Sequence, residues 1–291
     1  MDNLKIWFAD FWPEWKDEDF ITPILKKSFN VVLDGNNPDV VFLSIFGNSH
    51  TKYKCKKILF VAENIRYSYN QTIRDNINLA FSSANYTITF DPHTDKNYRL
   101  PLWQVYILRN PEYLSKLIKR VQYDKFDRFC SFTVSNPSNS FRNGFYYQLN
   151  SYKIVHSYGR FLTNSYELIQ ASEGKYWREA KDEFFKNNRH KYSVAFENTS
   201  YPYYCTEKLM DAFLAGSVPL YWGDPKARED WNRESFIDIM RGGFDLIKKA
   251  EDDPAYFKSL YEAPVFTDEQ KNKLENNLMG FEQWLTDKTK V

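Results

Sequence analysis

The chain has 291 residues, of which 43 % are hydrophobic and 26 % are charged, a composition typical of a globular protein and not of a disordered one. Its 39 lysines and arginines nearly balance its 38 acids, so the net charge of +1 gives no electrostatic reason to expect a nucleic-acid partner. Three distant cysteines and four scattered histidines show no metal-ligand spacing and indicate reduced thiols. The first residues do not resemble a signal peptide, and no apolar run reaches membrane-spanning length, so we expect a cytoplasmic protein.

The N-terminal half contains short apolar runs that are separated by stretches with helical spacing. The strand-like runs are LKIWFA (residues 4–9), DVVFLSIFG (39–47), KKILFVAEN (56–64) and NYTITF (85–90). TPILKKSF (22–29) has a proline in its first turn and is predicted to form a short helix. Strands that alternate with helices indicate a parallel α/β sheet.

The same pattern restarts in the C-terminal half. NPEYLSKLIKRVQ (110–122) predicts a helix, and the strand-like run RFCSFTVSN (128–136) is followed by a helix around SFRNGFYYQLN. The further predicted strands are YKIVHS, KYSVAF, VPLYWG and SFIDIM. We therefore predict an α/β fold with two Rossmann-like domains facing a cleft, at residues 1–125 and 126–268. Ligands are expected at the carboxyl ends of the strands.

The segment 269–291 is predicted to form an amphipathic helix with Leu274, Leu278, Phe281 and Leu285 on one face. Its charges are of both signs and not strongly basic. We therefore expect it to pack on the protein, with a membrane-surface helix as the alternative.

Polar residues are concentrated in YSVAFENTSYPYYCTEKLMDAFLAGSVPLYWGDP (192–225), which predicts a strand, a loop, a helix and a strand. The first strand ends at Glu197 and Asn198, and Thr206 is a suitable N-cap for a helix that begins with Glu207 and Lys208. Amides in the first turn of a helix lack partners and attract anions, so a phosphate could bind there. The alternative is a capped helix in which Glu207 only complements the helix dipole. The common glycine-rich signatures GxGxxG and GxxxxGK[ST] are absent.

The stretches AFENT, YCTEK, LAG and VPLYWG occur in that order and spacing, and CSFTVSNPSNSFRNGFYYQLN (130–150) precedes them. Together they resemble the signature of bacterial-type α1,3-fucosyltransferases. Weaker matches are LKIWFADFW, FVAEN and YRLPLW, so the resemblance covers most of residues 3–240. It fades in residues 67–94, where the proline that usually follows EN is missing, and in the C-terminal tail, which lacks the heptad repeats of some relatives.

This resemblance implies a GT-B architecture with the donor on the C-terminal domain and the acceptor mostly on the N-terminal domain. The implied reaction moves L-fucose from GDP-β-L-fucose to O3 of N-acetylglucosamine, with inversion, in N-acetyllactosamine-type glycans to give a Lewis x type product. No metal or other cofactor is implied. A lipid-linked acceptor would bring the protein to the inner face of the membrane as a peripheral protein. Alternatives are a GT-B glycosyltransferase for another nucleotide sugar and a non-catalytic carbohydrate-binding protein.

The resemblance also implies roles for individual residues. Glu63, in FVAEN, matches the position of the general base, for which the alternative is a salt-bridged loop acid. The implied donor-binding residues, with ordinary loop packing as the alternative for Tyr204, are Arg142, Asn198, Tyr204, Glu207 and Lys208.

Two further predictions rest only on where residues lie relative to the first predicted strand. Trp12 and Trp15 follow the first strand and could stack on an acceptor sugar, with core or rim packing as the alternative. The acids at positions 17–19 match the DxD pattern of metal-dependent glycosyltransferases. However, no apolar strand leads into them, so we interpret them as a solvated face and expect no metal site.

Overall fold

The computed structural model describes residues 1–65 and 71–290, without the side chain of Asp17. The chain divides into two compact units, the first formed by Met1–Pro111 with Asn272–Val291 and the second by Glu112–Lys271. The division therefore falls before the predicted boundary near residue 125, because the helix at Glu112–Lys119 belongs with the second unit. The C-terminal helix is not a separate segment, since most of it belongs to the first unit.

The first unit contains a six-stranded parallel sheet in the order β2-β1-β3-β4-β5-β6. The strands are β1 (Asn3–Ala9), β2 (Asn30–Leu33), β3 (Val40–Leu43), β4 (Lys56–Val61), β5 (Tyr86–Thr89) and β6 (Asn97–Arg99). Its helices are α1 (Trp15–Glu18), α2 (Ile21–Leu25), α3 (Gln71–Ser83), α4 (Leu102–Arg109) and α12 (Asp268–Thr289). The predicted strands of the N-terminal half are confirmed, and β3 is buried along its whole length, as its continuous apolar run indicates.

The second unit contains a five-stranded parallel sheet in the order β11-β10-β9-β7-β8. The strands are β7 (Arg128–Phe132), β8 (Val155–Ser157), β9 (His190–Phe196), β10 (Val218–Trp222) and β11 (Ile237–Asp238). Its helices are α5 (Glu112–Lys119), α6 (Ser140–Tyr152), α7 (Glu167–Ala171), α8 (Trp177–Asn187), α9 (Glu207–Leu214), α10 (Ile239–Asp252) and α11 (Pro254–Glu262). These two units confirm the predicted α/β class. In each sheet the parallel pairing brings the carboxyl ends of the strands to one edge.

One predicted strand is shorter than expected and runs into a helix. In SFIDIM only Ile237 and Asp238 pair with β10, and helix α10 begins at Ile239, with a kink at Gly243. The Asp238 carboxylate accepts a hydrogen bond from the backbone N–H of Met240, so it caps the new helix. A short apolar run does not distinguish strand from helix without this cap.

Helix α9 ends as the sequence predicts. Its C-cap is Ala215, and Gly216 follows with φ of +68°, a left-handed conformation that glycine adopts without a steric cost. The amide of Ser217 donates to the carbonyl of Ala212, which satisfies one of the last carbonyls of the helix. Strand β10 then begins at Val218, beside β9, so one turn joins the helix to the sheet.

Helix α12 packs on the core of the first unit, as its spacing predicts. Leu274, Phe281 and Leu285 are buried, and the latter two belong to the same apolar cluster as Ile6 and Phe60. Tyr98 donates a 2.7 Å hydrogen bond to the carbonyl of Asn277. Within residues 1–65 and 71–290, no helix is both long and apolar enough to cross a membrane.

Candidate active site

The carboxyl end of β9 carries a fully buried acid, Glu197. One carboxylate oxygen, Oε1, accepts a 2.7 Å hydrogen bond from the backbone N–H of Thr206, and Oε2 accepts a 2.6 Å bond from its hydroxyl. The ammonium of Lys208 lies 3.3 Å from Oε2. The strand end, the loop and the start of helix α9 are therefore connected through one carboxylate.

The N-cap position of α9 differs from the prediction in one respect. Thr206 occupies it, but its hydroxyl donates to Glu197 and accepts from Lys208 Nζ at 2.8 Å, and no side chain caps the helix. A capping hydroxyl would accept from a first-turn amide. The anion-attracting end of the helix is therefore not closed by its own N-cap residue.

The two acids beside Lys208 have opposite pKa shifts. Complete burial raises the pKa of Glu197 to about 7, although Lys208 opposes the shift. Burial also disfavours ionisation of Glu207, but Lys208, Lys181 and Arg178 outweigh it and lower its pKa to about 2. The Glu207 side chain is 22 % exposed, so an ionised carboxylate at this position can accept hydrogen bonds from a ligand.

Arg142 is brought to the same strand end from the first turn of α6. Its guanidinium is buried, and Nη1 donates to Asn198 Oδ1 at 3.1 Å while Nη2 donates to the carbonyl of Asn136 at 2.6 Å. Burial lowers its pKa, and the nearby Glu197 opposes this shift. Within the described part of the chain, Arg142 Nε has no hydrogen-bond partner. A buried donor without a partner is costly and indicates a missing acceptor.

A close backbone approach makes room for Glu197. A Cβ atom at Gly223, which follows β10, would lie 2.3 Å from Cγ of Glu197. This position therefore requires glycine, because any side chain would displace the buried carboxylate. The glycine of VPLYWG thus has a packing reason that only the neighbouring strand reveals.

Further residues of the site lie far away in sequence and escaped prediction. Asn139 caps α6 and donates to the carbonyls of Glu197 and Asn198 at 3.3 and 3.1 Å. Arg178 and Lys181 on helix α8 both pair with the buried Asp211 of helix α9. Their charges contribute to the low pKa of Glu207. In the sequence, the only signal for Arg178 and Lys181 is their i to i+3 spacing. Such spacing is common on solvated helices, so it does not indicate a site.

Three aromatic rings border the same edge of the sheet. Phe141, next to Arg142, is 48 % exposed and lies 5.2 Å from Trp222 and 5.9 Å from Phe196, between ring centroids. Neither aromatic content nor spacing indicates this cluster, since the three residues come from α6, β10 and β9.

The structure brings together the five residues assigned to the donor, which are Arg142, Asn198, Glu207, Lys208 and Tyr204. The fifth, Tyr204, is only 1 % exposed. Arg142 is equally buried, so burial does not distinguish the two residues, and the assignment of Tyr204 to the donor stays a prediction.

Glu63 lies in the first unit and is exposed. It follows the end of β4 by two residues and borders a cavity of about 410 Å³. Helix α3 contributes Arg74, Asn78 and Phe81 to the lining, and Asp91 lies beyond the end of β5. A carboxylate with solvent access in a cavity of this size can reach a bound hydroxyl.

The two tryptophans after β1 differ in their environment. Trp15 is 4 % exposed and packs among Phe11, Phe20 and Phe60, so its ring is not available to a sugar and the core alternative applies. Trp12 is half-buried and donates from Nε1 to Glu18 Oε2 at 2.9 Å. It remains a candidate for stacking.

Two of the acids after Trp15, Glu18 and Asp19, have structural partners. Glu18 accepts from Trp12, and Asp19 Oδ1 accepts from the amides of Ile21 and Thr22 at the start of α2. Across the residues that the structure describes, no group of three or more His, Cys, Asp or Glu side chains is arranged to hold a metal ion.

Comparison with known proteins identifies both halves of the chain. Residues 6–106 match the model of the α-(1,3)-fucosyltransferase FucT N-terminal domain, and residues 123–250 match the C-terminal model of glycosyltransferase family 10, the fucosyltransferases. The chain belongs to this fucosyltransferase family. The first matched range ends at residue 106 and the second begins at residue 123. The division between the two structural units, after Pro111, lies between these ranges.

Named relatives are consistent with the family. The chain is 28 % identical to the α-(1,3)-fucosyltransferase FucT of Helicobacter pylori over 94 % of its own length and 63 % of that protein. It thus spans somewhat less than two thirds of this relative. It is also 29 % identical to GDP-fucose protein O-fucosyltransferase 3 of Xenopus laevis over 62 % of its length, which covers 38 % of that protein.

Solved structures confirm the fold class. The chain superposes on a crystal structure of α1,3-fucosyltransferase with GDP-fucose with a TM-score of 0.66, at 22 % identity, covering 98 % of this chain and 91 % of the other. An α-glucosyltransferase in complex with UDP and DNA gives a TM-score of 0.55 at 11 % identity. This chain therefore has the two Rossmann-like domains of the GT-B architecture.

Proposed function

We propose that this chain is an inverting α1,3-fucosyltransferase that moves L-fucose from GDP-β-L-fucose to O3 of N-acetylglucosamine in N-acetyllactosamine-type acceptors. The observation that carries the proposal is the buried guanidinium of Arg142, whose Nε lacks a partner among the described residues, within the region that matches the family model. A pyrophosphate supplies the missing acceptor oxygens.

The second unit would stabilise the leaving group. When the bond between the fucose anomeric carbon and the phosphate oxygen breaks, its electron pair stays on GDP, and negative charge grows there. Arg142 and Lys208, which both lie near Glu197, and the start of α9, which Thr206 does not cap, are positive groups that can stabilise this charge. Asn198, which already accepts from Arg142, would hold the guanidinium in place.

Glu207 would bind the donor and not take part in proton transfer. A group with a pKa of about 2 is ionised at neutral pH and is a poor base. An ionised carboxylate is instead a strong acceptor for the ribose hydroxyls of GDP.

The first unit would supply the acceptor side of the reaction. The Glu63 carboxylate would take the proton of the acceptor O3, which then forms its bond to the anomeric carbon from the face opposite the phosphate. Its position after β4, its exposure and the cavity it borders support this role. Such a base contributes roughly 10²–10⁴ in rate.

A protein hydroxyl is a second candidate acceptor, because one matched relative carries the name GDP-fucose protein O-fucosyltransferase 3. Donor and leaving-group chemistry would be the same. Two further candidate functions are transfer of a different nucleotide-linked sugar and carbohydrate binding without turnover. A lipid-linked acceptor would place the protein at the inner membrane face.

The test combines donor specificity with product analysis. GDP should raise the melting temperature much more than UDP does, and reaction with GDP-fucose and N-acetyllactosamine should yield fucose α1,3-linked to N-acetylglucosamine. Parallel reactions with folded protein acceptors and with different nucleotide sugars test the remaining candidate functions. Equal stabilisation by UDP, or GDP binding with no transfer to any acceptor, would contradict the proposal.

The variants separate donor binding from proton transfer. Arg142→Ala, Lys208→Ala and Glu207→Gln should weaken GDP binding, whereas Lys175→Ala, which removes an exposed lysine of the same unit, should not. Glu63→Gln should bind GDP normally and lose about 10²–10⁴ in kcat. Near-normal kcat in Glu63→Gln would make Glu63 a structural acid. Activity should also persist in EDTA, and full loss that manganese restores would refute metal independence.

A further inference from the structure

Asp10 follows β1 in a left-handed backbone conformation, with φ of +61°. Few residues other than glycine, asparagine and aspartate adopt this conformation, and several hydrogen bonds support it here. The Asp10 carboxylate accepts hydrogen bonds from the Ser49 amide (2.9 Å), the Ser49 hydroxyl (2.7 Å) and the His50 amide (3.0 Å), and it lies 2.6 Å from His50 Nδ1. Gly47 leaves space for it, since a Cβ there would lie 2.6 Å from Asp10 Oδ1.

These contacts fix the loop after β3, and this loop carries Phe46. The Phe46 amide donates a 3.0 Å hydrogen bond to the Asp10 carbonyl. Asp10 therefore holds this loop at two places, at Phe46 and at Ser49 with His50. Its side chain is nevertheless 61 % exposed. The ring contacts the half-buried Trp12 in a T-shaped arrangement with 5.9 Å between centroids, and Trp12 is itself held by Glu18. A rigid backbone thus presents an apolar ring to solvent.

This aromatic pair lies on the same sheet edge as Glu63. Strand β3 pairs with β4, and neighbouring strands are about 4.8 Å apart. Phe46 follows the end of β3 by three residues, and Glu63 follows the end of β4 by two. The hydroxyl of Ser44 donates to the carbonyl of Phe60 at 3.1 Å and links the two strand ends.

We propose that Phe46 and Trp12 form a stacking surface for the apolar face of a pyranose ring of the acceptor, and that Asp10 is a positioning residue for it. Pyranose rings have a face of C–H groups that packs on aromatic rings, while their hydroxyls stay hydrated. Two rings suit one sugar, and their position next to the neighbouring strand's Glu63 favours the acceptor as occupant. The inference rests on the proposed function and adds Phe46 and Asp10 to it.

The first experiment measures acceptor kinetics with N-acetyllactosamine and GDP-fucose. Phe46→Ala should raise the acceptor KM about tenfold, with kcat, GDP affinity and the slow hydrolysis of GDP-fucose within twofold of the unchanged protein. Phe46→Tyr, which keeps the ring, should keep the KM. Met279→Ala removes an equally exposed apolar side chain of the same unit and should change nothing.

The second experiment tests positioning. Asp10→Asn weakens the network without removing its shape, so it should raise the acceptor KM and leave kcat and GDP affinity unchanged. Asp34→Asn, an acid that bonds loop amides elsewhere in the first unit, is the control and should have no effect. A merely structural role would lower the melting temperature without this KM effect.

Saturation-transfer NMR with N-acetyllactosamine gives a readout that does not need turnover. The signal on the C–H face of a bound sugar should be lost in Phe46→Ala and retained in Phe46→Tyr. If wild-type protein transfers fucose but Phe46→Ala keeps its acceptor KM, the stacking surface is refuted and the proposed function stands. If Phe46→Ala instead converts a dimer to a monomer with an unchanged KM, the surface joins two copies. Absence of any acceptor binding or transfer by wild-type protein would refute the function itself.

Discussion

Glu197 has a carboxylate without solvent exposure, and burial raises its pKa to about 7, above the ordinary value of 4.5. Between these two values the unfolded chain is ionised at this position while the folded chain holds a proton. The folded state then binds more protons, so this group makes stability fall as pH rises through that range. Below the range both states are protonated and its effect is absent.

We therefore predict that the Glu197→Gln variant removes a pH-dependent loss of stability. Relative to the variant, wild-type protein should lose up to about 3 kcal/mol of unfolding free energy between pH 4.5 and 7, at 1.36 kcal/mol per pKa unit. Denaturant titrations of both proteins at several pH values measure it. Other titrating groups contribute equally to the stability of both proteins, so their contributions cancel in the comparison. His190, whose pKa burial lowers to about 4, is one of them. A difference that does not vary with pH would mean that Glu197 stays ionised.

Gly223 provides a second prediction at this scale. Gly223→Ala places a Cβ 2.3 Å from Cγ of Glu197, and overpacking of this kind costs typically 1–3 kcal/mol. GDP affinity should fall with it, because the displaced carboxylate holds Lys208. The control is Gly144→Ala, at an exposed position in the middle of α6. An added Cβ there would meet no atom within 4 Å outside the nearby helix backbone, and alanine should stabilise the protein by about 0.5–1 kcal/mol. Thermal melts and GDP titrations of the pair give the answer, and equal behaviour would contradict the packing argument.

Among the elements, helix α12 shows how distant sequence completes a core. It begins in the second unit, yet Phe281 and Leu285 are fully buried in the core cluster of the first. The helix therefore acts as part of the first unit's fold, although nearly the whole second unit separates it in sequence from Pro111.

Removing one buried ring from α12 should therefore destabilise the first unit. We expect Phe281→Ala to cost about 3–5 kcal/mol, since it leaves a cavity in the core. Met279→Ala, on the exposed face of the same helix, should stay within about 0.5 kcal/mol of wild type. Equilibrium unfolding measures the change in unfolding free energy of the two variants. Similar values for both would mean that the helix contributes little to the core.

At the scale of the whole molecule, two ligands are assigned to two separate units. GDP at a hundredfold excess over its Kd should stabilise the unit that binds it by about 2.7 kcal/mol, which slows the slowest amide exchange there about a hundredfold. Hydrogen exchange with mass spectrometry should show this protection in β7, β9 and β10, and little change in β1, β3 and β4. Equal protection in both sheets would show that the two units unfold as one body.

Local sequence determined much of this protein. The apolar runs predicted β1, β3, β4, β5, β7, β9 and β10, because strand formation follows from continuous or alternating burial of a few neighbouring residues. The end of α9 at Gly216 follows from one residue's backbone freedom. The motif order from AFENT to VPLYWG was enough to indicate the family, which the family models confirm.

Only tertiary structure decided what depends on distant neighbours. Burial raises the pKa of Glu197, and the charges of Lys208 and of helix α8 lower the pKa of Glu207. The local sequence shows neither the burial nor the approach of α8. Trp15 and Tyr204 are buried where sequence allowed a ligand contact, since exposure is set by residues far along the chain. Phe46 is exposed although its neighbour Ile45 is buried, and hydrogen bonds to Asp10, 36 positions earlier, fix the conformation of its loop. Sequence names the side chains of a site, whereas their charge and access come from long-range packing.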